Sequence, residues 1–357
     1  MKIFHCQNCG QMVYFQNTRC ERCGYVLGYL PDLTTLSALS GPEGDWWRPL
    51  AAPDRPSRFC ANAFHDACNW LVPAESPDTF CRACRLNRTI PNLDSWKNLL
   101  RWQRLEAAKH RLVYGLLRLG LPLTSRFEDP VAGLAFDFLE NSDAMAREDA
   151  RIITGHAAGL ITIDIAEADD AERERHRQDM AEPYRTLLGH FRHEVGHYYW
   201  ERLIRSSPWI NSFRELFGDE RREYGASLET YYAEGPPDDW QQRFVSRYAS
   251  AHPWEDFAET WAHYLHIVDT LETADAFGLR VQPKGGPKGG GPPALAMEID
   301  FDPYHQSDFD VLVRTWLPLT YAVNSLNHSM GQPDLYPFVL APTVMGKLRF
   351  VHGLIFR

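Results

Sequence analysis

His193-Glu194-Val195-Gly196-His197 is the stretch on which the reading of this chain turns. Residues four apart on a helix lie on one face, so His193 and His197 would project their imidazoles toward a single point. Two imidazoles at that spacing suit a zinc ion. Glu194 stands one residue round the helix, within reach of a water beside that ion, where its carboxylate can act as general base. Pro183 sits ten residues before His193 and is well placed in a first helical turn, so the predicted helix runs from there to about Ile204.

Catalytic zinc takes three protein ligands and keeps one position open, so a third donor is needed. A glycine three residues and a histidine six residues after His197 would supply it locally, but Trp200 and Leu203 occupy those places. Two downstream carboxylates compete: Glu220 in Phe217-Gly-Asp-Glu220, and Glu255 in Trp254-Glu-Asp-Phe-Ala-Glu259-Thr-Trp-Ala262. Glu255 is favoured because Glu259 lies four residues further along the same predicted helix. One carboxylate can then bind zinc while the other receives an N–H from a ligand imidazole. Phe257, Trp261 and Leu265 would pack this helix, predicted over Pro253–Leu271, onto a core. An acidic first turn is also what the helix dipole favours, so Glu255 and Asp256 have a plainer explanation too.

All eight cysteines precede residue 85. Cys6-x2-Cys9-Gly10 and Cys20-x2-Cys23-Gly24 are two matched knuckles, each followed by a glycine that permits the left-handed backbone such turns require. Together they form a closed four-cysteine site, which leaves no position for substrate and is therefore structural. Cys60, Cys68, Cys81 and Cys84 form a less regular second set, for which a second structural zinc is expected, with His65 as a possible substitute ligand. A segment this small needs such staples, since zinc binding supplies folding free energy.

The chain's 357 residues, 44% apolar and 24% charged, allow two or three globular domains. Eleven Trp, 15 Tyr and 19 Phe argue against disorder over most of the length. Residues 1–95 hold nine basic and nine acidic groups, so the net charge of −10 lies in the remainder. Nucleic-acid binders carry a basic domain or stripe, and neither part has one. No apolar run is long enough to span a membrane, and no secretory signal is visible at the start. The expectation is a cytoplasmic protein with no nucleic-acid or membrane partner.

Along the chain, a connecting helix is predicted within 93–120, with Trp96, Leu99, Leu100, Leu105, Leu112, Val113, Leu116 and Leu117 on one face. Leu160–Ile165 alternates as a strand. Helical stretches are expected near Phe213–Tyr232 and Asp308–Asn324. The Gly/Pro-rich segment 283–293 reads as a flexible loop. His190, His263 and His266 show no pattern and are taken as structural.

His193–His197 followed by Glu255-Asp-Phe-Ala-Glu259 resembles the gluzincin-type metallopeptidases related to anthrax lethal factor and the bacterial Mlc titration factor. That resemblance implies His193, His197 and Glu255 as zinc ligands and Glu194 as base. It also implies an oxyanion-stabilising role for Tyr248, seven residues before Glu255. Over nearly its full length the chain resembles a bacterial zinc-binding metallopeptidase family with an N-terminal zinc ribbon. The implied architecture is α+β: a zinc-ribbon module over 1–92, then a mainly helical zincin-like domain with a small sheet over 93–357. In such enzymes an extended substrate aligns along an edge strand, a part that Leu160–Ile165 could take, with His156 and Asp164 flanking it.

The leading expectation is a zinc metallopeptidase with one catalytic and two structural zinc ions, acting on a protein or peptide and possessing a ribbon module that could recruit a protein partner. The alternative is a zincin-fold protein without turnover, acting as a binding or regulatory module through its ribbons.

Overall fold

The computed structural model describes residues 2–140, 155–170, 173, 186–284 and 295–356. Its cysteine-rich beginning is built from short strands and tight turns. β1 (Phe4–His5) pairs with β2 (Met12–Val13). β3 (Leu27–Leu30), β4 (Thr35–Glu43), β5 (Trp46–Pro49), β6 (Ser57–Phe59) and β7 (Leu71–Pro73) follow as an antiparallel meander in sequence order. Leu30, Leu39, Ala52 and Leu71 form its core, with Val26, Trp47 and Phe59 packed against them. Gly28 is required there: a Cβ on it would lie 2.7 Å from the Leu71 side chain.

A second sheet has the order β10–β11–β9–β8, from β8 (Asn87–Thr89), β9 (Ala135–Leu139), β10 (Gly155–Ala157) and β11 (Leu160–Asp164). β9 runs parallel to both β8 and β11. A parallel pair needs a long crossover, and α1 (Trp96–Arg118) lies between β8 and β9 in sequence. The sheet thus pairs strands from both sides of residue 92. α1 buries Trp102, Leu105, Leu112, Val113 and Leu116, whereas Trp96 and Leu100 of the expected face are exposed. Its Tyr114 ring meets Phe15 and Tyr29 edge-on, at 5.4 and 6.3 Å.

The strand expected at Leu160–Ile165 is present as β11, but it is an interior strand, so an extended substrate cannot pair along it. β10 takes the edge instead. The flanking polar groups serve local turns: His156 Nε2 accepts from the Gly159 amide at 2.9 Å, and Asp164 Oδ1 accepts from the Ala166 amide at 2.9 Å.

The rest is helical: α2 (Leu187–Leu203), α3 (Ile210–Phe217), α4 (Tyr224–Glu234), α5 (Trp240–Arg243), α6 (Pro253–Ala276), α7 (Phe309–Ser329) and α8 (Pro342–Ile355). The start expected at Pro183 lies outside the described residues, as does the loop 283–293 from residue 285 onward. The single helix expected over Phe213–Tyr232 is two, because Gly218 at φ +103° stops α3. α8 has no counterpart among the helices expected from the sequence. Contacts divide the chain into two compact units, one holding the described residues up to 173 together with 186–191, the other those from 192 onward. That division falls inside α2.

Candidate metal centre and cysteine sites

α6 begins sharply, with Pro253 at its first turn and His252 Nδ1 accepting from the Trp254 amide at 3.1 Å. Phe257 and Trp261 are fully buried and Leu265 nearly so. α2 comes very close to α6 at Gly196: a Cβ there would lie 2.9 Å from Ala258 Cα and 3.2 Å from Trp261 Cβ. The glycine inside His-Glu-Val-Gly-His thus lets the two helices touch, which brings their polar residues together.

His193, His197 and Glu255 converge there, all buried, their donor atoms within 4.8 Å of one another. His193 Nε2 is 3.2 Å from His197 Nε2 and 3.0 Å from Glu255 Oε2, while His197 Nε2 is 3.5 Å from Glu255 Oε1. On its other side His193 Nδ1 is 2.7 Å from Glu259 Oε1. A carboxylate can only accept, so Nδ1 carries the proton and Nε2 of the neutral ring is left as a lone-pair donor. Ser246 Oγ donates to Glu259 Oε2 at 2.6 Å and fixes that carboxylate in turn. Three Lewis bases crowd one point, and two histidines with a glutamate are a known catalytic zinc set. The residues fit a divalent ion.

Glu220 is not part of this cluster. It forms a two-armed ion pair with Arg214, at 2.9 and 2.5 Å. His190, His263 and His266 also find local partners, in Glu167, Tyr336 and Arg192.

The electrostatics follow from burial and these partners. Burial works against ionising Glu255, but the two imidazoles outweigh it and hold its carboxyl well below the usual range. Glu259 is likewise opposed by burial, yet His193 and Ser246 bring it down to about 2. In the metal-free chain burial disfavours the His193 imidazolium, and the flanking carboxylates override that and raise its pKa.

Glu194 lies on α2 between the two histidines and is only 5% exposed. The Tyr248 ring is 5.9 Å from that of His193. Burial first, then the Glu255 carboxylate, push the Tyr248 phenol well up, so it stays a protonated donor. Sequence reasoning missed Tyr224, whose hydroxyl donates to Glu255 Oε1 at 2.7 Å. It also missed Trp254, whose ring lies 4.0 Å from that of His197. Trp254 adjoins Glu255 in sequence, but nothing at that level marks Tyr224, 31 residues upstream on a different helix.

The first cysteine set is assembled as its spacing requires. Cys6 and Cys23 sulfurs are 3.6 Å apart, as are those of Cys9 and Cys20. Ligand sulfurs about 2.3 Å from a tetrahedral zinc stand roughly 3.8 Å apart. Gly10 and Gly24 have φ of +73° and +76°, and each amide closes its turn on Cys6 or Cys20 at 2.8 Å. The Tyr25 backbone amide favours the Cys23 thiolate, bringing that thiol down to about 6. The second set, Cys60, Cys68, Cys81 and Cys84, is fully buried and equally clustered. His65 is not among its neighbours, for its ring packs on Trp102 at 5.9 Å.

A fold and sites of this kind define a zinc-binding protein with an N-terminal zinc ribbon. The chain belongs to the family described as "Putative zinc-binding metallo-peptidase", whose model matches residues 98–354, and a zinc-ribbon domain model matches residues 3–95. It is similar to uncharacterized proteins of Mycobacterium bovis and Mycobacterium tuberculosis. Each is 43% identical over 356 residues, covering 99% of this chain and 95% of the relative. No solved structure matches it. Among the described residues no helix is long and apolar enough to cross a membrane.

Proposed function

We propose that this chain is a cytosolic zinc-dependent metallopeptidase with one catalytic and two structural ions. The convergence of His193, His197 and Glu255, with Glu194 between the two histidines, carries the reading. An ion held by those three residues would supply a Lewis acid and lower the pKa of a water to about 7. Glu194, a buried carboxylate, takes the proton from the attacking water and hands it to the departing amine nitrogen. The Tyr248 phenol, kept protonated, donates to the carbonyl oxygen as charge develops on it. Tyr224 and Glu259 hold the ligands Glu255 and His193 in place. The ribbon module recruits the protein substrate or a partner.

Glu194→Gln tests this reading, since it keeps the shape and removes the base. The variant should retain its metal, while cleavage of a mixed peptide library falls at least about 100-fold, the scale of general-base catalysis. Cleavage at the parental rate would overturn Glu194 as the base, and a parental chain that cleaves nothing would favour a binding role without turnover.

A further inference from the structure

The second cysteine set has a neighbour that its spacing does not announce. His110 of α1 points Nε2 at two of the four sulfurs, 3.2 Å from Cys68 and 3.6 Å from Cys84. Zn–S and Zn–N lengths of about 2.3 and 2.0–2.1 Å place tetrahedral ligands roughly 3.5 Å apart. The imidazole nitrogen thus stands at ligand-to-ligand spacing from both cysteines.

Its other side is arranged as in a metal-binding histidine. His110 Nδ1 lies 2.6 Å from the Glu106 carbonyl oxygen, which can only accept, so Nδ1 carries the proton and Nε2 the lone pair. Donation from the distal ring nitrogen to a backbone carbonyl is how ligating histidines are oriented. The Trp70 ring meets the imidazole edge-on at 5.2 Å and limits its rotation.

Glu106 approaches Cys84 too, at 3.5 Å. Its other oxygen, Oε1, accepts from Lys109 at 2.7 Å and from Asn87 at 2.9 Å. Of these two neighbours, His110 is the one with a donor atom facing two of the sulfurs and a backbone carbonyl orienting it from behind.

We propose that His110 is a fifth donor of the second metal centre and takes the coordination position of Cys68 when that sulfur is lost. The centre then holds a zinc ion through three sulfurs and one imidazole. The observation ties the ribbon's second ion to α1, whose His110 lies within the peptidase-family match.

The test is zinc per full-length chain in Cys68→Ser, His110→Ala and the double variant. Cys68→Ser and His110→Ala should each keep the parental count, and the double variant should have one zinc fewer. Loss of an ion from Cys68→Ser alone would overturn the proposal, and so would its retention in the double variant. Should the double variant fail to fold, cadmium-113 NMR of Cys68→Ser with nitrogen-15-labelled histidine decides. In Cys68→Ser the second centre should show one-bond coupling from cadmium to a histidine nitrogen, absent from the parental chain, where Cys68 holds that position. A resonance without that coupling in Cys68→Ser contradicts the proposal.

Discussion

His193 and Glu259 are joined through the ring edge that faces away from the candidate metal position, Nδ1 to Oε1 at 2.7 Å. This contact fixes the tautomer that leaves Nε2 as a donor, and Ser246 anchors the carboxylate from behind. Removing such a partner typically costs 10–100-fold in metal affinity. Glu259→Ala should therefore bind zinc about 10- to 100-fold more weakly in competition with a chelator, with its three ligands intact. Unchanged affinity would mean that the contact does not orient the ligand.

The close approach of α2 and α6 at Gly196 predicts a stability effect. Gly196→Ala places a methyl 2.9 Å from backbone that cannot move freely, and overpacking of this kind costs about 1–3 kcal/mol. Gly346→Ala in α8 meets only Leu216, at 3.9 Å, and should be neutral or stabilising by up to about 1 kcal/mol. Urea midpoints of the two variants should move in these different ways.

Lys347 of α8 and Asp256 of α6 form a buried ion pair at 2.5 Å. Burial raises the Asp256 carboxyl to about 7, opposed by the ammonium. Lys347→Met strands that carboxylate and should destabilise the chain by about 3–5 kcal/mol at neutral pH. Adding Asp256→Leu should recover much of the loss, which a double-mutant cycle measures.

His263 gives a pH dependence whose sign is fixed. Burial lowers its pKa to about 4, against about 6.5 in an unfolded chain. Below about pH 6.5 the unfolded chain takes up a proton that the folded chain refuses. The contribution of His263 is present above that pH and lost as pH falls toward 4, by about 1.4 kcal/mol per unit within the window. His263→Gln should flatten the fall in urea midpoint between pH 6.5 and 5. An identical slope in both proteins would show that His263 does not titrate differently on folding.

The parts legible in the sequence were those set by local spacing. His193 and His197 share a helix face because they are four apart, and the glycines after Cys9 and Cys23 adopt the left-handed backbone that the turns require. The α+β class and the family followed from the same motifs. Relationships set by tertiary packing were not legible. Tyr224 reaches Glu255, and His110 reaches Cys68, across 31 and 42 residues, and no periodicity encodes such distances. β11 has the alternation of a half-buried strand, but whether a strand is edge or interior depends on its neighbours, and β10 supplied the edge. The break between α3 and α4 falls at Gly218, and an isolated glycine inside a helical pattern does not by itself fix a stop.

Zinc per chain in purified protein and in His197→Ala tests the central claim most directly. About three ions falling to two is the result predicted, from one centre on α2 and α6 and two in the cysteine sets. Two ions in both proteins, with no third taken up on adding zinc, would contradict a metal centre at His193, His197 and Glu255.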